Sequence, residues 1–423
     1  MKVKEWQDHK GEVLASADES KKDKTGTTHL SIIVQASSKS WGGGVDLCMN
    51  ELDGKSVIWH TIKKLKAQFN LNEITIAAPE FDVGGFDSII TERVTAYYGF
   101  NDSPLKRIIS ITNQLPDDAL VLRVDGLNFC VDTASISKML EITNEKQLDL
   151  MKFQDDWPTI FCGDIYRIGA LRKMANEIGG PDSSDAPYHI HPKYYLLSNS
   201  KYDCARHTPE VYSDEILNTH RLSAKTVYAE RELGDAKGHA VPAGDMLSFH
   251  YKLALDNLNN PLKLLDIACG LGYGTAMLAE VCAEVVGADI DPSVITASSD
   301  RYSALDNVKF LVADAEDLPF DDNHFDAVVS FETIEHVDGD RYLSEIHRVI
   351  SNGGTFILST PQNAIGHIPV NPWHVVEYSL ENLKKLVNKY FVVDKVIGLK
   401  QGPLYFDNDP VGTNTVLICH KSH

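Results

Sequence analysis

Three carboxylates and a glycine-rich turn are spaced along residues 264–314 in the way that a binding site for a small polar ligand requires. The apolar stretch "LLDIA" leads into a turn with three alternating glycines, Gly270, Gly272 and Gly274. Asp266 lies four residues before the first of them, and Asp289 ends the next apolar stretch, 19 residues after it. Asp314 ends the third stretch, "VKFLVAD". Carboxylates at such positions can accept hydrogen bonds from amines and from ribose hydroxyls.

The glycine turn does not match two common phosphate-binding patterns. The dinucleotide pattern G-x-G-x-x-G requires a third glycine or alanine where Thr275 or Met277 stands. A P-loop requires a lysine, and the turn contains none. The carboxylate of Asp266 would repel a pyrophosphate, whereas it could pair with a cationic amino-acid group. With Asp289 on a ribose and Asp314 on an adenine amine, the pattern favours S-adenosylmethionine.

The elements that must position these residues indicate an α/β domain. Seven apolar stretches are predicted strands, namely "LKLLDIA", "EVVGADI", "VKFLVAD", "FDAVVSFE", "GTFILSTP", "FVVDKVIGL" and "TNTVLICH". Helical stretches alternate with the strands, and the last two strands are expected to pair antiparallel. The order predicts a doubly wound sheet that carries the glycine turn at the end of its first strand.

Residues 261 to about 365 resemble a class I S-adenosylmethionine-dependent methyltransferase. The segments "LLDIACGLGYG", "VVGADIDPSVI", "VADAEDLPFDDNHFDAVVSFETIEHV" and "GGTFILSTP" occur in the order of that family. The resemblance implies a seven-stranded domain that binds S-adenosylmethionine as its methyl donor. It also implies the residues that bind this donor, which are Asp266, Gly270, Gly272, Gly274, Asp289, Ile290, Asp314, Ala315 and Glu332.

The acceptor side is predicted from the stretch after the fourth strand, "SFETIEHV", which resembles the small-molecule and sugar branch of these enzymes. A neutral hydroxyl is a weak nucleophile, so its methylation needs a base. His336, beside Glu335, is the first candidate, and the alternative is that this Glu-His pair only orients the loop. His374 in "NPWHVVEYSLENLKKL" is the second candidate, and this stretch resembles methyltransferases of glycan and polyketide modification. Ser379 in the same stretch is alternatively a helix N-cap.

Residues 28 to about 200 also alternate between predicted strands and helices, which implies a parallel, doubly wound sheet. They resemble the cytidylyltransferase-like family of spore-coat polysaccharide and acylneuraminate activation, through stretches such as "IIVQASSKS", "VLRVDGLNFCVD" and "WPTIFCGDIYRIGALRKM". The basic loop of that family is reduced to Lys39, and Leu127 stands where the family has a metal-binding aspartate. Asp125 lies two residues earlier, and alternation along a strand would point it to the other face. We therefore expect a domain that keeps the nucleotidyltransferase-like fold and has lost the reaction, with nucleotide or sugar binding left open.

The composition limits the partners. The chain has 423 residues and a net charge of −20, which argues against nucleic acid as the main partner. No apolar run reaches membrane-spanning length, and the N-terminal stretch lacks the apolar segment of a signal peptide. The seven scattered cysteines have no metal-ligand spacing, so no metal site is predicted and a cytoplasmic location is expected. A homodimer formed through the N-terminal domain is left open.

Four segments are predicted: a mobile tail at 1–27, the nucleotidyltransferase-like domain at 28–200, a connector and lid at 201–255, and the methyltransferase domain at 256–423. In the lid segment, His250 and Tyr251 could either close over the methyl donor or pack in a core. The predicted function is O-methylation of a sugar, a nucleotide-linked sugar or a surface glycan in polysaccharide biosynthesis. The alternatives are a bifunctional enzyme with an active nucleotidyltransferase domain and a non-catalytic scaffold that binds S-adenosylmethionine.

Overall fold

The computed structural model describes residues 4–5, 29–39, 45–70, 72–227, 246–366, 368–401 and 404–422. Most of the predicted tail, the loop 40–44 and part of the predicted lid, 228–245, therefore lie outside the described residues. The chain divides into two compact units, one of Met1–Gln154 and Thr159–Val211 and one of Asp155–Pro158 and Tyr212–His423. We call them unit 1 and unit 2. Within the described ranges, no helix has the length and apolar character needed to cross a membrane.

Unit 1 is an α/β unit. Its described strands are β1 (Lys4–Glu5), β2 (Leu30–Gln35), β3 (Glu51–Leu52), β4 (Lys55–Ser56), β5 (Ile74–Ala78), β6 (Val94–Tyr98), β7 (Leu120–Asp125), β8 (Leu150–Phe153), β9 (Asp164–Arg167) and β10 (Cys204–His207). Its described helices are α1 (Val57–Gln68), α2 (Pro104–Ile111), α3 (Thr133–Glu145), α4 (Ile168–Ala175), α5 (Ala186–Ile190) and α6 (Pro192–Ser198). The spacing of Ile58, Ile62 and Leu65 is helical, and all three are buried on one face of α1.

The unit 1 sheet is mixed. Its order is β1-β10-β8-β9-β7-β2-β5-β6, and β3 and β4 form a separate hairpin. The expectation of a purely parallel sheet is corrected at β9, which runs antiparallel to both β7 and β8. The short connection between β8 and β9 lets the chain turn back directly, so no crossover helix is needed there.

Unit 2 begins with α7 (Asp214–Val227) and α8 (Met246–Asn257). Its strands are β11 (Lys263–Ile267), β12 (Glu284–Asp289), β13 (Val308–Val312), β14 (Phe325–Phe331), β15 (Ile350–Pro361), β16 (Val392–Gln401), β17 (Leu404–Tyr405) and β18 (Asn414–His420). The helices between them are α9 (Tyr273–Leu278), α10 (Pro292–Arg301), α11 (Gly339–Val349) and α12 (Leu380–Val387). The sheet order is β13-β12-β11-β14-β15-β18-β16-β17, in which β18 runs antiparallel to both neighbours. The predicted seven strands are present, and the two-residue β17 adds an eighth at the edge.

The unit 2 sheet is covered on both faces, because successive residues of its strands point to opposite sides. Leu265 of β11 packs in one cluster of buried side chains, and the preceding Leu264 packs in another. The first cluster includes side chains of α11 and α12, and the second includes side chains of α8 and α9. Continuous apolar stretches such as "FDAVVSF" are therefore strands that are buried on both sides.

The strand order creates a switch point between β11 and β14. The chain runs from β11 through β12 to β13 on one side, and then returns to β14 on the other side of β11. At such a point the connections leave the carboxyl ends of adjacent strands in opposite directions, and ligands bind in the crevice that results. We call this edge of the unit 2 sheet the carboxyl edge.

The predicted connector at 201–255 contains regular elements of both units. Cys204–His207 is β10 of the unit 1 sheet, whereas α7 and α8 belong to unit 2. On α8, His250 and Tyr251 are both buried, and Tyr251 is part of the cluster that covers one face of the sheet. Their burial agrees with the alternative in which His250 and Tyr251 pack in a core.

Candidate active site

The glycine turn between β11 and α9 is compact on one side and open on the other. Gly270 and Gly272 have left-handed backbone angles, with φ of 53° and 76°, which glycine adopts without strain. A Cβ on Gly272 would lie 2.6 Å from the ring of Phe310, whereas a Cβ on Gly270 would meet no atom within 4 Å. Gly272 is therefore required by packing, and the space beside Gly270 can admit a ligand.

Gly274 has a packing role. A Cβ at this position would overlap the ring of Tyr251, so glycine allows α8 to lie against α9. The hydroxyl of Tyr251 donates to both carboxylate oxygens of Asp266, at 3.2 and 3.3 Å, and the Thr275 hydroxyl donates to one of them at 2.6 Å. Asp266 has no exposed surface, and this burial raises its pKa to about 7. Asp266 thus supports the turn from inside the protein, and its direct pairing with a ligand stays a prediction.

Asp289 connects the glycine turn to the end of β12. One carboxylate oxygen accepts from the backbone N–H of Gly270 and the other from that of Asp291, both at 3.0 Å. A carboxylate is an acceptor that ribose hydroxyls can use, and contact between Asp289 and the ribose stays a prediction. The next residue, Ile290, is 64% exposed and offers an apolar surface at the carboxyl edge.

Asp314 and Ala315 lie in the turn that follows β13. Asp314 is exposed, and its carboxylate accepts from the backbone N–H of Glu316 at 2.9 Å. The carbonyl of Asp314 accepts from Asp317 N–H at 3.1 Å, which closes the turn. Ala315 is half-buried and packs against the cluster that includes α11 and α12. The exposed Asp314 side chain can therefore reach a ligand at the carboxyl edge.

Glu332 directly follows β14 in a left-handed conformation, with φ of 54°. Its carboxylate accepts from the Ser359 hydroxyl at 2.6 Å and from the Asn414 amide at 3.0 Å, so β15 and β18 hold it in place. A left-handed conformation costs a residue with a side chain about 1–2 kcal/mol. Residues kept in such a conformation often lie at functional sites.

His374 and Glu377 form a buried pair. The Nδ1–H group of His374 donates to a carboxylate oxygen of Glu377 at 2.9 Å. Glu377 also accepts from the backbone N–H groups of Val370 and Asn371 and from the Asn363 amide. Burial alone would raise the pKa of Glu377, but these hydrogen bonds, that from His374 first among them, hold it below its usual value. Glu377 is therefore an ionised orienting group, and the neutral His374 ring has its lone pair on Nε2.

His336 lies against the same pair. Its ring is perpendicular to that of His374, with 4.8 Å between the ring centroids. The Nδ1 atom of His336 donates to the carbonyl of Trp373 at 3.2 Å, which again leaves Nε2 as the acceptor. His336 is exposed, whereas His374 is buried. The structure thus brings together the two histidines that the sequence named separately.

Glu335 joins the histidines to the end of β14. Its side chain is buried, and the Thr360 hydroxyl donates to it at 2.8 Å. Burial and the neighbouring charge of Glu332 raise the pKa of Glu335 well above its usual value. The carbonyl of Glu335 accepts from the backbone N–H of Val375 at 2.8 Å. This contact fixes the stretch that carries His374 next to β14.

Glu377 is not among the site residues that the sequence predicts. The signal was present, because His374 and Glu377 are three residues apart, a spacing that can bring a carboxylate onto an imidazole. Ser379 caps α12 through a hydrogen bond to Asn382 N–H at 3.3 Å, as the sequence indicated. The stretch therefore contains both a helix cap, Ser379, and a buried polar pair, His374 and Glu377.

Unit 1 has a separate polar cluster at β7 and β9. Asp164 pairs with Arg123 at 3.6 Å and with Lys193 at 3.1 Å. Burial favours protonation of Asp164, but Lys193 and Arg123 hold its pKa below the usual value. Asp125 lies at the end of β7 and accepts from the backbone N–H of Leu127 at 3.1 Å. The side chain of Leu127 has no atom that can bind a metal ion, and the carboxylates of Asp125 and Asp164 both make contacts within the protein.

Comparisons with known proteins match unit 2. A family model described as a methyltransferase domain matches residues 265–358. A probable S-adenosylmethionine-dependent methyltransferase of Mycolicibacterium smegmatis is 32% identical over 145 residues, which cover 33% of this chain and 55% of that protein. The chain spans about half the length of this relative and of its Mycobacterium tuberculosis counterparts.

Two further matches are a sequence relative and a solved structure. A ubiquinone/menaquinone biosynthesis C-methyltransferase of Shewanella sp. strain ANA-3 is 33% identical over 176 residues, covering 36% of this chain and 69% of that protein. The solved structure of the PH0226 protein from Pyrococcus horikoshii OT3 covers 42% of this chain and 89% of its own, at 23% identity and a TM-score of 0.34. Together with the glycine turn and the carboxyl edge, the sequence relatives identify the C-terminal region as a class I methyltransferase domain, and the chain belongs to the S-adenosylmethionine-dependent methyltransferase family.

Proposed function

We propose that unit 2 transfers the methyl group of S-adenosylmethionine to an oxygen atom of an acceptor bound at the carboxyl edge. The observation that carries this proposal is the buried His374–Glu377 pair, held beside the end of β14 by the contact between Val375 and Glu335. A histidine whose tautomer is fixed by a carboxylate is suited to take a proton from a hydroxyl.

The methyl donor fits the residues on the other side of the switch point. Asp289 places a carboxylate acceptor at the end of β12 beside the glycine turn, where it is suited to ribose hydroxyls, and Ile290 offers an apolar surface for the adenine ring. Asp314 is exposed and can accept from the adenine amine. The open space beside Gly270 admits the amino-acid part, and Asp266 beneath the turn favours its positive charge. Glu332, Gly272 and Gly274 position the strands and helices around this pocket.

When bound, S-adenosylmethionine supplies a methyl group activated by its positive sulfur. The chain then has two tasks, which are to position the acceptor oxygen in line with the methyl carbon and to remove its proton. The oxygen attacks the methyl carbon, the carbon–sulfur bond breaks, and its electron pair stays on sulfur. We infer that His374 precedes His336 as the proton acceptor, because Glu377 stabilises the imidazolium that forms on His374.

The acceptor that we propose is a sugar, a nucleotide-linked sugar or a surface glycan. The support is the branch resemblance of the stretches around His336 and His374, together with a base, which a hydroxyl acceptor requires. The second candidate is methylation of a quinone ring carbon, because a relative named as a quinone C-methyltransferase is 33% identical. The third candidate function is a non-catalytic scaffold that binds S-adenosylmethionine without methyl transfer.

One experiment separates these readings. The full chain is incubated with S-adenosylmethionine carrying a ¹³C-labelled methyl group and with a panel of sugars, nucleotide-linked sugars and quinones. We expect a labelled O-methyl product, which NMR distinguishes from a C-methyl product by its chemical shift. A C-methyl quinone would replace our choice of acceptor. Binding of the donor with no transfer to any acceptor would favour the scaffold.

Unit 1 is proposed to be a nucleotidyltransferase-like domain that does not transfer nucleotides. Nucleotidyl transfer requires a magnesium ion and cations that neutralise the phosphates. Leu127 supplies no metal ligand, and Asp164 is paired with Arg123 and Lys193. We propose that this domain binds a sugar or nucleotide, or joins two copies of the chain.

A further inference from the structure

Three potential metal ligands converge at the carboxyl edge of unit 2. Glu335, His336 and His374 each offer one ligand atom, and these atoms lie within 4.8 Å of one another. Glu335 and His336 belong to the turn after β14, whereas His374 comes from the stretch that the Val375 contact fixes beside it. Two imidazoles and one carboxylate are a ligand set that zinc and other divalent transition-metal ions accept.

The hydrogen bonds that orient these three side chains match those that usually orient metal ligands. A histidine that binds a metal ion usually donates its other ring N–H to a carboxylate or a backbone carbonyl. His374 donates from Nδ1 to Glu377, and His336 donates from Nδ1 to the carbonyl of Trp373. In these tautomers the lone pair of each imidazole ring is on Nε2. The Thr360 hydroxyl holds one oxygen of Glu335, so each of the three side chains has an orienting partner.

Burial decides which of the three side chains must move. Ligand atoms about 2.0–2.2 Å from a zinc ion are roughly 3–3.5 Å apart, so the group has to contract from its present 4.8 Å. Glu335 and His374 are buried and held by several hydrogen bonds. His336 is exposed and can change its rotamer, so it can close the site from the solvent side.

We propose that Glu335, His336 and His374 bind one divalent transition-metal ion, with positions left open for the acceptor oxygen. The role of the ion rests on the proposed methyl transfer to oxygen, whereas its binding does not. An ion at this place would lower the pKa of a hydroxyl bound at an open position. The ion would also occupy the Nε2 lone pair of His374. In the metal-bound protein the hydroxyl proton would therefore pass to water, and the role of His374 as proton acceptor applies to the metal-free protein.

The test uses the full chain without an affinity tag, freed of metal with a chelator and then dialysed. Zinc binding is measured by calorimetry, and cobalt binding by the visible absorption of Co²⁺ in a nitrogen and oxygen ligand field. We expect one zinc ion per chain in the wild type. His336→Ala and Glu335→Gln should each weaken binding by at least about tenfold, and Glu377→Gln by about tenfold to a hundredfold.

His420→Ala is the matched control, because His420 also pairs with an aspartate, Asp394, at 2.8 Å, but at the opposite end of the sheet. It should bind zinc as the wild type does. His336 is exposed, so His336→Ala should fold normally, which circular dichroism and S-adenosylmethionine binding can verify. If the wild type binds no stoichiometric zinc, or if His336→Ala and Glu335→Gln bind it as well as the wild type, the metal site is wrong.

The outcomes also separate this inference from the proposed function. Stoichiometric zinc binding that depends on His336, without methyl transfer to any acceptor, would keep the metal site and remove the proposed function. Methyl transfer to oxygen by metal-free protein, unchanged by added zinc, would keep the proposed function and overturn the role of the ion.

Discussion

Nδ1 of His374 donates a 2.9 Å hydrogen bond to Glu377, and both side chains are more than nine-tenths buried. Because Glu377 accepts three further hydrogen bonds, its carboxylate stays ionised and its position is fixed. This places the lone pair of His374 on Nε2 and orients it, which is the arrangement that an acid–base histidine needs.

Replacement of His374 should therefore impair turnover more than donor binding. A positioned base contributes typically 10²–10⁴-fold, so His374→Ala should lower kcat by about that factor, and Glu377→Gln should lower it in the same direction. S-adenosylmethionine affinity, measured by calorimetry, should stay close to the wild type in both variants. His420→Ala serves as the control with normal activity. Full activity of His374→Ala would exclude a direct part for this histidine.

Asp289→Asn should weaken binding of S-adenosylmethionine. The charged carboxylate would be lost from the predicted ribose contacts, at a cost of about 1.5–3 kcal/mol, as for hydrogen bonds to a charged group. The measurement is calorimetric titration of the isolated protein. Asp300→Asn, on the exposed side of α10, is the matched control and should bind normally. Unchanged affinity in Asp289→Asn would remove Asp289 from the donor site.

Gly270→Ala and Gly272→Ala should have different consequences. Both residues have a left-handed backbone, which costs alanine about 1–2 kcal/mol, but only Gly272 would also crowd Phe310, at a further cost of about 1–3 kcal/mol. Gly272→Ala should therefore lower the free energy of unfolding in urea more strongly. Gly270→Ala should mainly weaken donor binding, since its methyl group enters the open space. Donor binding by Gly270→Ala at wild-type strength would show that the ligand lies elsewhere.

Asp266 should make stability depend on pH. Its pKa is raised by burial from 3.8 to about 7 in the folded protein, with a further contribution from the charge of Asp289. The folded state thus binds the proton more tightly than the unfolded chain does. Stability should fall as pH rises from about 4 to about 7 and then level off, by roughly 4 kcal/mol at most for this group.

Urea unfolding at pH 5 and pH 8, compared between wild type and Asp266→Asn, isolates this contribution. Asparagine does not titrate, so the variant should lose less stability than the wild type between the two values. Thr275 and Tyr251 can still donate to the amide oxygen, which favours folding of the variant. Identical pH dependence in the two proteins would show that Asp266 does not titrate in this range.

Unit 1 should not release pyrophosphate from nucleoside triphosphates. Leu127 has no atom that can bind a metal ion, and Asp164 is paired with Arg123 and Lys193. The assay uses each triphosphate with magnesium and the sugar panel, and the expected result is no turnover above background. Robust turnover that Asp125→Asn abolishes would show that Asp125 is the metal ligand and that the domain is active.

The sequence by itself predicts the donor half of the proposed site. The glycine turn, Asp289, Ile290 and Asp314 all follow the ends of successive strands, and strands in such an order place their carboxyl ends along one edge. Their chemistry depends on local spacing, so it could be predicted without knowing how the helices pack.

Which residues meet in the acceptor half of the proposed site depends on the tertiary structure. Glu335 and His374 are distant in sequence, and they meet because the Glu335 carbonyl accepts from Val375 N–H. The sequence predicts that Asp266 pairs with the ligand, and this pairing stays a prediction. Only the structure shows that Tyr251 from α8 encloses the carboxylate, because no pattern within the strand specifies which helix covers it. Periodicity tells which residues are buried, whereas the partner of a buried polar group depends on packing between segments that are far apart in the chain.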